Sequence, residues 1–385
     1  MNFELTEEQH LIQETAKEFA LNDISPTLID EERNHECRLD RVERMGRLGF
    51  FSCGLPEELG GVGFGFLESV LMAEQVAKVS ASWRLPFNMQ NLGPALTVAK
   101  YGTSDQQKRF IPGWVAGTQI GFFGMTEPES GSDVASMKTV AHDKGDHWEL
   151  HGSKIWVSNA TQGDAGLLYA MTDPDKGHRG MSAFILEPKK VNNFVATDIE
   201  TKLGLHCAPT GEMAFHGTQL PKEALLGEIG EGFKICMWQL NNTRLGCAAG
   251  AIGVAGAAVD AAIDYANERV QFGKPISRHQ MVQAQIAEMV AEHEAARMLV
   301  YRAAWLKDAG KANQYETSLA KLQASETAVH AANECMKIFG SYGYSSEYPA
   351  ERLYRDAKSL QVVEGTSNIQ KLIIAGIACG HTPNR

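Results

Sequence analysis

One carboxylate near the end of the chain has neighbours that suit a proton-abstracting base. Glu364 lies in the run Val362–Asn368, with apolar residues before it and glycine and small polar residues after it. Apolar neighbours favour a site with little water, and Gly365 lets another molecule approach the backbone closely. A carboxylate in such a setting can take a proton from a weakly acidic carbon. An isolated glutamate is more often exposed at the surface, so this interpretation depends on the rest of the chain.

Three other segments carry residue types suited to binding a cofactor. The loop Phe123–Asp133 crowds hydroxyls and glycines into a turn, where they can bind a polar heteroaromatic edge or a phosphate. The run Lys154–Asn159 sets Trp156 beside Ser158 on a predicted strand. The run Arg269–Lys274 sets an arginine near an aromatic residue and a glycine, and this arginine could clamp a pyrophosphate. The plain alternatives are a surface loop, a core aromatic residue and a solvated helix end, respectively.

Two glycine patterns in the last third of the chain allow more than one interpretation. Gly340 and Gly343 follow a helical pattern, and they either cap the helix in a left-handed conformation or expose N–H groups to an anion. Gly250, Gly253 and Gly256 recur every three residues in an alanine-rich segment. This spacing favours close contact between helices over a phosphate site.

Hydrophobic periodicity divides the chain into three parts. Residues 1–119 have a helical pattern interrupted by proline and glycine turns. Residues 120–229 contain short alternating runs, such as Trp148–His151 and Lys154–Val157, separated by turn residues. Residues 230–385 return to long alanine-rich helical segments. The order helices, strands, helices predicts an α+β fold of three domains with these bounds, and not a doubly wound sheet.

Composition excludes several classes of function. The chain has 385 residues, of which 44% are hydrophobic, and a formal net charge of -11, which argues against non-specific nucleic-acid binding. The seven cysteines are scattered without a CxxC pair, so we expect reduced thiols, a cytoplasmic location and no metal site. The acidic N-terminus lacks the features of a signal peptide, and we expect no membrane span.

Taken in order along the chain, these segments resemble the acyl-CoA dehydrogenase flavoprotein family. The resemblance covers residues 1–378 and includes the motifs Pro56–Gly61, Thr126–Asp133, Arg269–Lys274 and Glu364–Thr366. It implies an N-terminal helical domain, a middle β-barrel-like domain and a C-terminal four-helix bundle. It also implies FAD as the cofactor, a homotetramer as the assembly and an electron-transfer flavoprotein as the electron acceptor.

The resemblance assigns two groups of residues to FAD. One group would hold the isoalloxazine ring, with Met125 against the ring and with Thr126 and Ser158 in reach of its polar edge. The other group would contact the pyrophosphate and the adenosine from a neighbouring subunit. The full set implied for FAD is Phe123, Met125, Thr126, Gly131, Ser132, Trp156, Ser158, Arg269, Gln271, Phe272, Gln280, Lys337, Gly340, Ser341, Thr366 and Asn368.

The resemblance also implies the roles of the base and of the coenzyme A contacts. Ser132, Asn241 and Arg244 fall where the family contacts coenzyme A. Glu364 falls at the base, which takes the α-proton of the thioester while the β-hydride moves to the flavin. Its backbone N–H would help to stabilise charge on the thioester oxygen. Some members carry the base at the position of Thr243, which cannot accept a proton as a carboxylate does, so Glu364 is the predicted base.

The segment Val79–Met89 bears on the class of substrate. Arg84 falls where glutaryl-CoA dehydrogenases carry an arginine that pairs with the distal carboxylate of the substrate. A bidentate contact between guanidinium and carboxylate in a dry pocket would favour such a substrate by about 2 kcal/mol or more over a neutral tail. The plain alternative is a solvated arginine at a helix end.

At two positions this chain differs from the decarboxylating glutaryl-CoA dehydrogenases that it resembles. Those enzymes share a tyrosine just before the base and a glutamate seven residues before the arginine, whereas this chain has Val363 and Ala77. The chain resembles the non-decarboxylating type from anaerobic bacteria. We therefore expect oxidation of glutaryl-CoA, or of another acyl-CoA with a distal carboxylate, to the 2-enoyl product with the carboxylate retained.

Two alternatives stay open at the level of sequence. The first is a dehydrogenase for cyclic or aryl-substituted thioesters, of the cyclohexanecarboxyl-CoA or benzylsuccinyl-CoA type, with Trp83, Phe87 and Met89 lining a wider pocket. The second is a non-catalytic, flavin-free relative that acts as an assembly partner. Flavin content and bleaching of the flavin by an acyl-CoA distinguish the second from an enzyme.

Overall fold

The computed structural model describes residues 4–381 of the chain. Helices come first, then a β-sheet, then helices again, and this order confirms the predicted α+β fold. The N-terminal helices are α1 (Glu7–Phe19), α2 (Leu28–Asn34), α3 (Leu39–Arg47), α4 (Phe66–Val79), α5 (Leu96–Tyr101) and α6 (Ser104–Val115).

The segment between α4 and α5 carries Arg84. A short 3-10 turn, Ser82–Arg84, leads into a π-helical stretch, Phe87–Ala95, in which every residue is buried. Pro94 lies inside this stretch and has no backbone N–H to donate, so a regular α-helical ladder is interrupted there. The stretch packs against the first strand of the sheet and against the first C-terminal helix. It therefore lies at the junction of all three parts of the chain.

The middle part forms one eight-stranded sheet within the described residues. The strands are β1 (Gly121–Gly124), β2 (Val140–Asp143), β3 (His147–Ser158), β4 (Ala165–Met171), β5 (Met181–Leu186), β6 (Phe194–Asp198), β7 (Thr210–Pro221) and β8 (Leu225–Leu226). Their order is β6-β7-β3-β2-β4-β5-β8, with β1 parallel to β4. The predicted runs Trp148–His151 and Lys154–Val157 belong to the single strand β3. A register shift between Lys154 and Val157 interrupts its alternation.

The C-terminal part is a helical bundle built on one long helix. Its helices are α7 (Gly232–Glu268), α8 (Gln280–Asp308), α9 (Gln314–Phe339), α10 (Pro349–Leu360) and α11 (Ser367–Ala378). A short hairpin of β9 (Val270–Gln271) and β10 (Lys274–Pro275) follows α7. Helix α7 packs against α4, α8, α9 and the π-helical stretch. It therefore connects the N-terminal helices to the bundle.

The glycines spaced along α7 serve helix contact, as their spacing predicts. A Cβ atom on Gly253 would lie 2.5 Å from the carbonyl oxygen of Glu74 on α4. A Cβ on Gly250 would lie 2.8 Å from Cδ of Arg84. Only glycine allows the backbone of α7 to approach its neighbours this closely.

Helix α7 is long and apolar enough to cross a membrane by length and composition alone, with a mean hydropathy of 1.6 over 18 residues. The protein interior covers 78% of that window. A helix that is apolar on all sides can be a buried core helix, and α7 packs as one.

Candidate active site

Two side chains from different parts of the chain hold the carboxylate of Glu364. Nδ2 of Asn88 donates a hydrogen bond to Oε1 at 3.0 Å, and the hydroxyl of Thr243 donates one to Oε2 at 2.6 Å. Asn88 belongs to the π-helical stretch and Thr243 to α7. Both are fully buried, whereas Glu364 is half-buried. The carboxylate therefore has a defined orientation and stays partly accessible.

The backbone of Glu364 adopts the left-handed conformation, with φ of 59°. Nε of Arg244 donates to its carbonyl oxygen at 3.1 Å, and Nζ of Lys321 donates to the carbonyl oxygen of Gly365 at 2.9 Å. The side chain of Gln370 donates to both carbonyls. Left-handed backbone is rare and costly for a residue with a side chain, so these contacts maintain a strained loop.

The backbone N–H of Glu364 has no hydrogen-bond acceptor among residues 4–381. It belongs to the same residue as the carboxylate, so a donor and a proton acceptor lie side by side. This combination can hold a carbonyl oxygen while an adjacent carbon loses a proton.

Arg84 is buried, and none of residues 4–381 gives it an anionic partner. The residue is 1% exposed, and its Nε and Nη1 atoms have no hydrogen-bond acceptor within the described residues. Its aliphatic carbons pack on Gly250 of α7. Because a guanidinium stays charged, burying it unpaired is costly unless a ligand supplies the missing anion. The position therefore suits an anionic group of a bound molecule.

Two more buried cations, Arg244 and Lys321, lie close to Glu364. Burial lowers the pKa of both side chains, while the negative charge of Glu364 acts in the opposite direction. The positive charge of Arg84 also lowers the pKa of Lys321. Three cations thus share a largely buried region with one carboxylate. The surplus of positive charge favours binding of an anion there.

The residues implied for the flavin ring lie where β1 and β3 end. Trp156 lies in the bulge of β3 with φ of 61°, and its side chain is 57% exposed. Thr126 and Ser158 are half-buried, and neither hydroxyl has a hydrogen-bond partner in the part of the chain that the structure describes. The N–H of Ile155 donates to the Thr126 carbonyl at 2.9 Å and ties the two segments together. An exposed indole beside two free hydroxyls suits a flat heteroaromatic ring with a polar edge.

The residues implied for the flavin ring also contact the two elements that carry Asn88 and Thr243, the hydrogen-bond donors to Glu364. Sγ of Cys236 on α7 lies 3.4 Å from Sδ of Met125. A Cβ on Gly93, in the π-helical stretch, would lie 3.2 Å from the ring of Phe123. The structure therefore brings the ring-binding segments to the two elements that position Glu364. Two other residues of this group, Gly131 and Ser132, are exposed in the loop after β1.

A buried ion pair beneath the loop after β1 was missed by the sequence reasoning. Nζ of Lys154 lies 2.6 Å from Oε1 of Glu127 and donates to the carbonyl of Met125 at 3.2 Å. The carboxylate of Glu127 also accepts from the backbone N–H groups of Lys138 and Thr139. Burial lowers the pKa of Lys154 to about 8. The pair fixes the backbone of the loop that carries Met125 and Thr126.

A second group of residues implied for FAD extends from the end of α7 through the hairpin to the start of α8, and from the last turn of α9 into the segment that follows. Phe272 is 94% exposed, with φ of 51°. The guanidinium of Arg269 lies 5.6 Å from the ring centre of Tyr342, so the hairpin meets the segment after α9. The members of this group, all exposed, are Arg269, Gln271, Phe272, Gln280, Lys337, Gly340 and Ser341.

One chain does not bring the two flavin groups together. Cys236, which contacts Met125, lies near the start of α7, and Arg269 follows the end of α7. At the rise of an α-helix this separates the two positions by about 50 Å. A single dinucleotide is much shorter than this, so both groups can contact one cofactor only if a second copy of the chain supplies one of them.

The residues implied for coenzyme A differ in their surroundings. Ser132 is exposed, and Asn241 is half-buried, with its Nδ2 donating to Oδ1 of Asn313 at 2.8 Å. Arg244 is 4% exposed and is engaged with the backbone of Glu364. The structure thus gives Arg244 a task at the base that its position in the sequence did not reveal.

Thr366 and Asn368, the last two residues implied for FAD, lie at the start of α11. The hydroxyl of Thr366 accepts from the N–H of Ile369 at 3.3 Å and caps the helix, and Asn368 is exposed.

Sequence reasoning missed Asn88 and Lys321. One signal was present for Asn88, because it follows Arg84 by four residues and so shares a face with it in a helix.

Comparison with known proteins identifies the family. Residues 6–118, 122–218 and 230–378 match the acyl-CoA dehydrogenase N-terminal, middle and C-terminal domains, respectively. The chain is 45% identical over 379 residues to a glutaryl-CoA dehydrogenase from Desulfococcus multivorans, and the alignment covers 97% of each protein.

Two solved structures share the fold. A glutaryl-coenzyme A dehydrogenase in complex with glutaryl-CoA superimposes with a TM-score of 0.96 at 43% identity, covering 100% of this chain and 98% of that one. A glutaryl-CoA dehydrogenase from Mycobacterium smegmatis in complex with FADH2 has a TM-score of 0.93 at 28% identity, covering 99% and 97%. The chain therefore belongs to the acyl-CoA dehydrogenase family, flavoproteins that oxidise the CH–CH bond of acyl-CoA thioesters.

Proposed function

We propose that this chain catalyses FAD-dependent α,β-dehydrogenation of an acyl-CoA thioester with a distal carboxylate, converting glutaryl-CoA to glutaconyl-CoA without decarboxylation. The observation that carries the proposal is the buried Arg84, whose Nε and Nη1 lack an acceptor within the described residues. A carboxylate at the end of the acyl chain would accept hydrogen bonds from these two atoms of Arg84. The relative that is 45% identical is named a glutaryl-CoA dehydrogenase.

The spacing of two contacts on α7 supports a short acyl chain. Thr243 contacts the carboxylate of Glu364, and Gly250 contacts the aliphatic part of Arg84. These two positions lie about 10 Å apart along the helix. A short dicarboxylic acyl chain, with one contact distance to the carboxylate of Glu364 and another to the guanidinium of Arg84, would fit this interval.

Glu364 acts as the base in this proposal. Its carboxylate takes the α-proton, and its unengaged backbone N–H donates to the thioester oxygen as negative charge develops there. Asn88 and Thr243 keep the carboxylate oriented. FAD held beside Trp156, Thr126 and Ser158 would supply the acceptor for the hydride from the β-carbon.

The residues present suit FAD. The exposed Trp156 and the free hydroxyls of Thr126 and Ser158 would hold the isoalloxazine ring. The exposed Arg269 and Phe272 of a second copy would hold the pyrophosphate end, since one chain separates the two groups. A homo-oligomer follows from this division, and the homotetramer of the family is the form we expect.

We also propose an electron-transfer flavoprotein as the electron acceptor and the cytoplasm as the location. The resemblance to the family supports the acceptor. All seven cysteines, which lie within the described residues, are free thiols, and this is typical of a reducing compartment.

Retention of the distal carboxylate is supported by two apolar side chains. Ala77 is buried on α4, and its methyl group faces Gly253, one helical turn of α7 beyond the contact of Arg84. Val363 is half-buried beside the base. Neither side chain offers a polar group that would compete for the guanidinium or move a proton at the far end of the substrate.

The wider pocket of an enzyme for cyclic or aryl thioesters has less support. Trp83 is 2% exposed, and its ring packs 4.3 Å from the guanidinium of Arg41. Phe87 is fully buried between the rings of Phe50 and Phe51. Both aromatic side chains thus contribute to the core of the N-terminal domain.

An anaerobic titration of the purified flavoprotein tests the proposal. We expect glutaryl-CoA to bleach the flavin at lower concentration than butyryl-CoA, cyclohexanoyl-CoA or benzylsuccinyl-CoA, and mass spectrometry to find glutaconyl-CoA. Crotonyl-CoA with CO2 as the main products would contradict retention of the carboxylate. Protein that purifies without flavin and gains none from added FAD would support a non-catalytic assembly partner instead.

The Glu364→Gln variant tests the base separately. It should keep its flavin and bind the acyl-CoA but lose at least about a hundredfold in the rate of flavin reduction, because a general base contributes about that much or more. A variant that reduces its flavin at the wild-type rate would exclude Glu364 as the base.

A further inference from the structure

Asn88 lies at the centre of an arrangement that links the base to the buried arginine. Arg84 ends the short 3-10 turn, Asn88 lies four residues later in the π-helical stretch, and both contact α7 at a glycine. Arg84 meets Gly250, and Asn88 meets Gly246, which is also four residues away. Two matched contacts of this kind fix the separation and the rotation of the two elements.

We propose that Asn88 is a positioning residue for Glu364, so that its side-chain amide holds the base carboxylate in the orientation required for proton abstraction. This inference rests on the proposed role of Glu364 as the base. It does not depend on which acyl-CoA is the substrate. Asn88 does not itself touch the reacting atoms in this proposal.

The hydrogen bonds of Asn88 define its orientation. Its Nδ2 donates to Oε1 of Glu364 at 3.0 Å and to the carbonyl oxygen of Thr243 at 3.0 Å. An ionised carboxylate and a backbone carbonyl are both acceptors only, so the nitrogen of the amide must face them. Asn88 is fully buried, and water cannot replace these bonds without a change in packing.

Asn88 and Thr243 together restrain the carboxylate of Glu364. Asn88 donates to one oxygen and the Thr243 hydroxyl to the other. One donor would leave the carboxylate free to rotate about its terminal bond, whereas two donors on opposite oxygens define its plane. Preorganisation of this kind keeps the base aimed at the carbon it must deprotonate, and small misplacements of a reacting group are costly.

Asn88 packs closely against the backbone of α7 at Gly246. A Cβ atom on Gly246 would lie 2.1 Å from Oδ1 of Asn88. That oxygen is buried and has no hydrogen-bond donor within the described residues. The position of the amide is therefore set by its two acceptors and by the absence of a side chain on Gly246. A substitution at Gly246 is thus a second way to displace the amide of Asn88.

The test compares Asn88→Leu with the matched control Asn91→Leu. Asn91 is also fully buried in the π-helical stretch, but its Nδ2 donates to the carbonyl of Cys53 and not to the base. Stopped-flow measurements give the rate of flavin reduction per bound flavin, with butyryl-CoA and glutaryl-CoA, between pH 5 and pH 9. Thermal midpoints and flavin content are measured for both variants.

We expect Asn88→Leu to reduce the rate of flavin reduction about tenfold or more with both substrates, since the base loses its alignment. The pH below which the rate falls should move upward, because the carboxylate loses a donor that stabilises its charged form. Gly246→Ala, which displaces Asn88 but keeps its amide, should change both properties in the same direction. Asn91→Leu should lower the thermal midpoint only.

Three outcomes overturn the inference. In the first, Asn88→Leu keeps a rate within twofold of wild type and the same pH dependence. In the second, Asn91→Leu changes rate and pH dependence as much as Asn88→Leu, so that only packing of the stretch matters. In the third, Glu364→Gln keeps wild-type activity, which rejects both the role of Glu364 as the base and the role of Asn88 in positioning it. A Glu364→Gln variant that is inactive beside an Asn88→Leu variant that is normal rejects the role of Asn88 alone.

Discussion

The hydroxyl of Thr243 lies 2.6 Å from Oε2 of Glu364, although 121 residues separate them in the chain. The resemblance to the family implies that Thr243 falls where some members carry the base. The two alternative positions for the base therefore meet at one point, on opposite sides of the same contact. A carboxylate attached to either backbone position would reach the same small region.

This contact predicts that the base can be moved. In Glu364→Gln, flavin reduction by an acyl-CoA should slow at least about a hundredfold. Adding Thr243→Glu to that variant should restore part of the rate, because the new carboxylate would lie beside the one that was removed. Stopped-flow reduction at several pH values measures the recovery. A double variant no faster than Glu364→Gln, with flavin still bound, would show that the direction of approach is decisive.

Substitution of Arg84 should separate dicarboxylic from monocarboxylic substrates. In Arg84→Met, we expect kcat/KM for glutaryl-CoA to fall at least about thirtyfold, equivalent to about 2 kcal/mol, because the distal carboxylate loses a buried partner. The value for butyryl-CoA should stay the same or rise. Arg84→Lys, which keeps the charge but not the paired donors, should be intermediate. Equal losses for both substrates would argue against a role of Arg84 in recognising the tail.

The separation of the two flavin groups along α7 predicts complementation between defective chains. Thr126→Lys damages the ring group, and Arg269→Glu damages the pyrophosphate group. Neither variant should hold FAD alone, because every site in its oligomer contains the damaged half. In oligomers assembled from both chains, about a quarter of the sites should combine two intact halves and bind flavin.

Flavin absorbance of the mixed oligomers, purified with a different tag on each chain, measures this recovery. Each variant mixed with wild-type chain serves as a control for assembly. If mixed oligomers form but contain no more flavin than the single variants, each chain must bind its cofactor without help from a neighbour.

A buried pair of carboxylates predicts how stability depends on pH. Burial and the nearby negative charge of Glu32 on α2 together raise the pKa of Asp356 on α10 to about 7. The N–H of Leu205, which donates to Asp356 at 2.7 Å, acts in the opposite direction. Between pH 4 and 7 the folded chain therefore holds a proton that the unfolded chain has released. This group lowers the free energy of unfolding as pH rises through that range.

Asp356→Asn removes this dependence and keeps an acceptor for Leu205. We expect the variant to gain stability relative to wild type between pH 5 and pH 8, by about 2 to 3 kcal/mol. Thermal midpoints at the two pH values measure the change. Glu32→Gln should reduce the pH dependence of the wild-type chain, since it removes the second carboxylate. An effect of Asp356→Asn that is equal at both pH values would contradict this account.

The elements were predictable to the extent that local pattern encodes them. Periodicity distinguished the helical parts from the strand-rich part, and the glycine spacing of α7 predicted close helix contact, which Gly253 and Glu74 make. The bulge in β3 was not predicted, because a bulge breaks the alternation by which a strand is recognised. Trp156 lies in that bulge, and its exposure depends on it.

The amino-acid sequence by itself determined the kinds of group that this protein uses. Ordered motifs of small, polar and aromatic residues indicated the family, and single residues such as Glu364 and Arg84 indicated a base and a cation for the substrate. Side-chain type and local spacing are properties of a segment, so they can be read without knowing where the segment lies. The same holds for helices and strands that repeat with a regular period.

Only the tertiary structure decided which groups meet. Asn88 and Glu364 are 276 residues apart, and nothing local to either predicts their hydrogen bond. The bond exists because Gly246 and Gly250 let residues 84–95 approach α7 closely. Asn88 thereby reaches the base, and Arg84 is buried with no acceptor for its Nε and Nη1 atoms among residues 4–381. Packing between distant segments sets such distances, and a polar side chain becomes a base, a support or an anion site only when packing has chosen its neighbours.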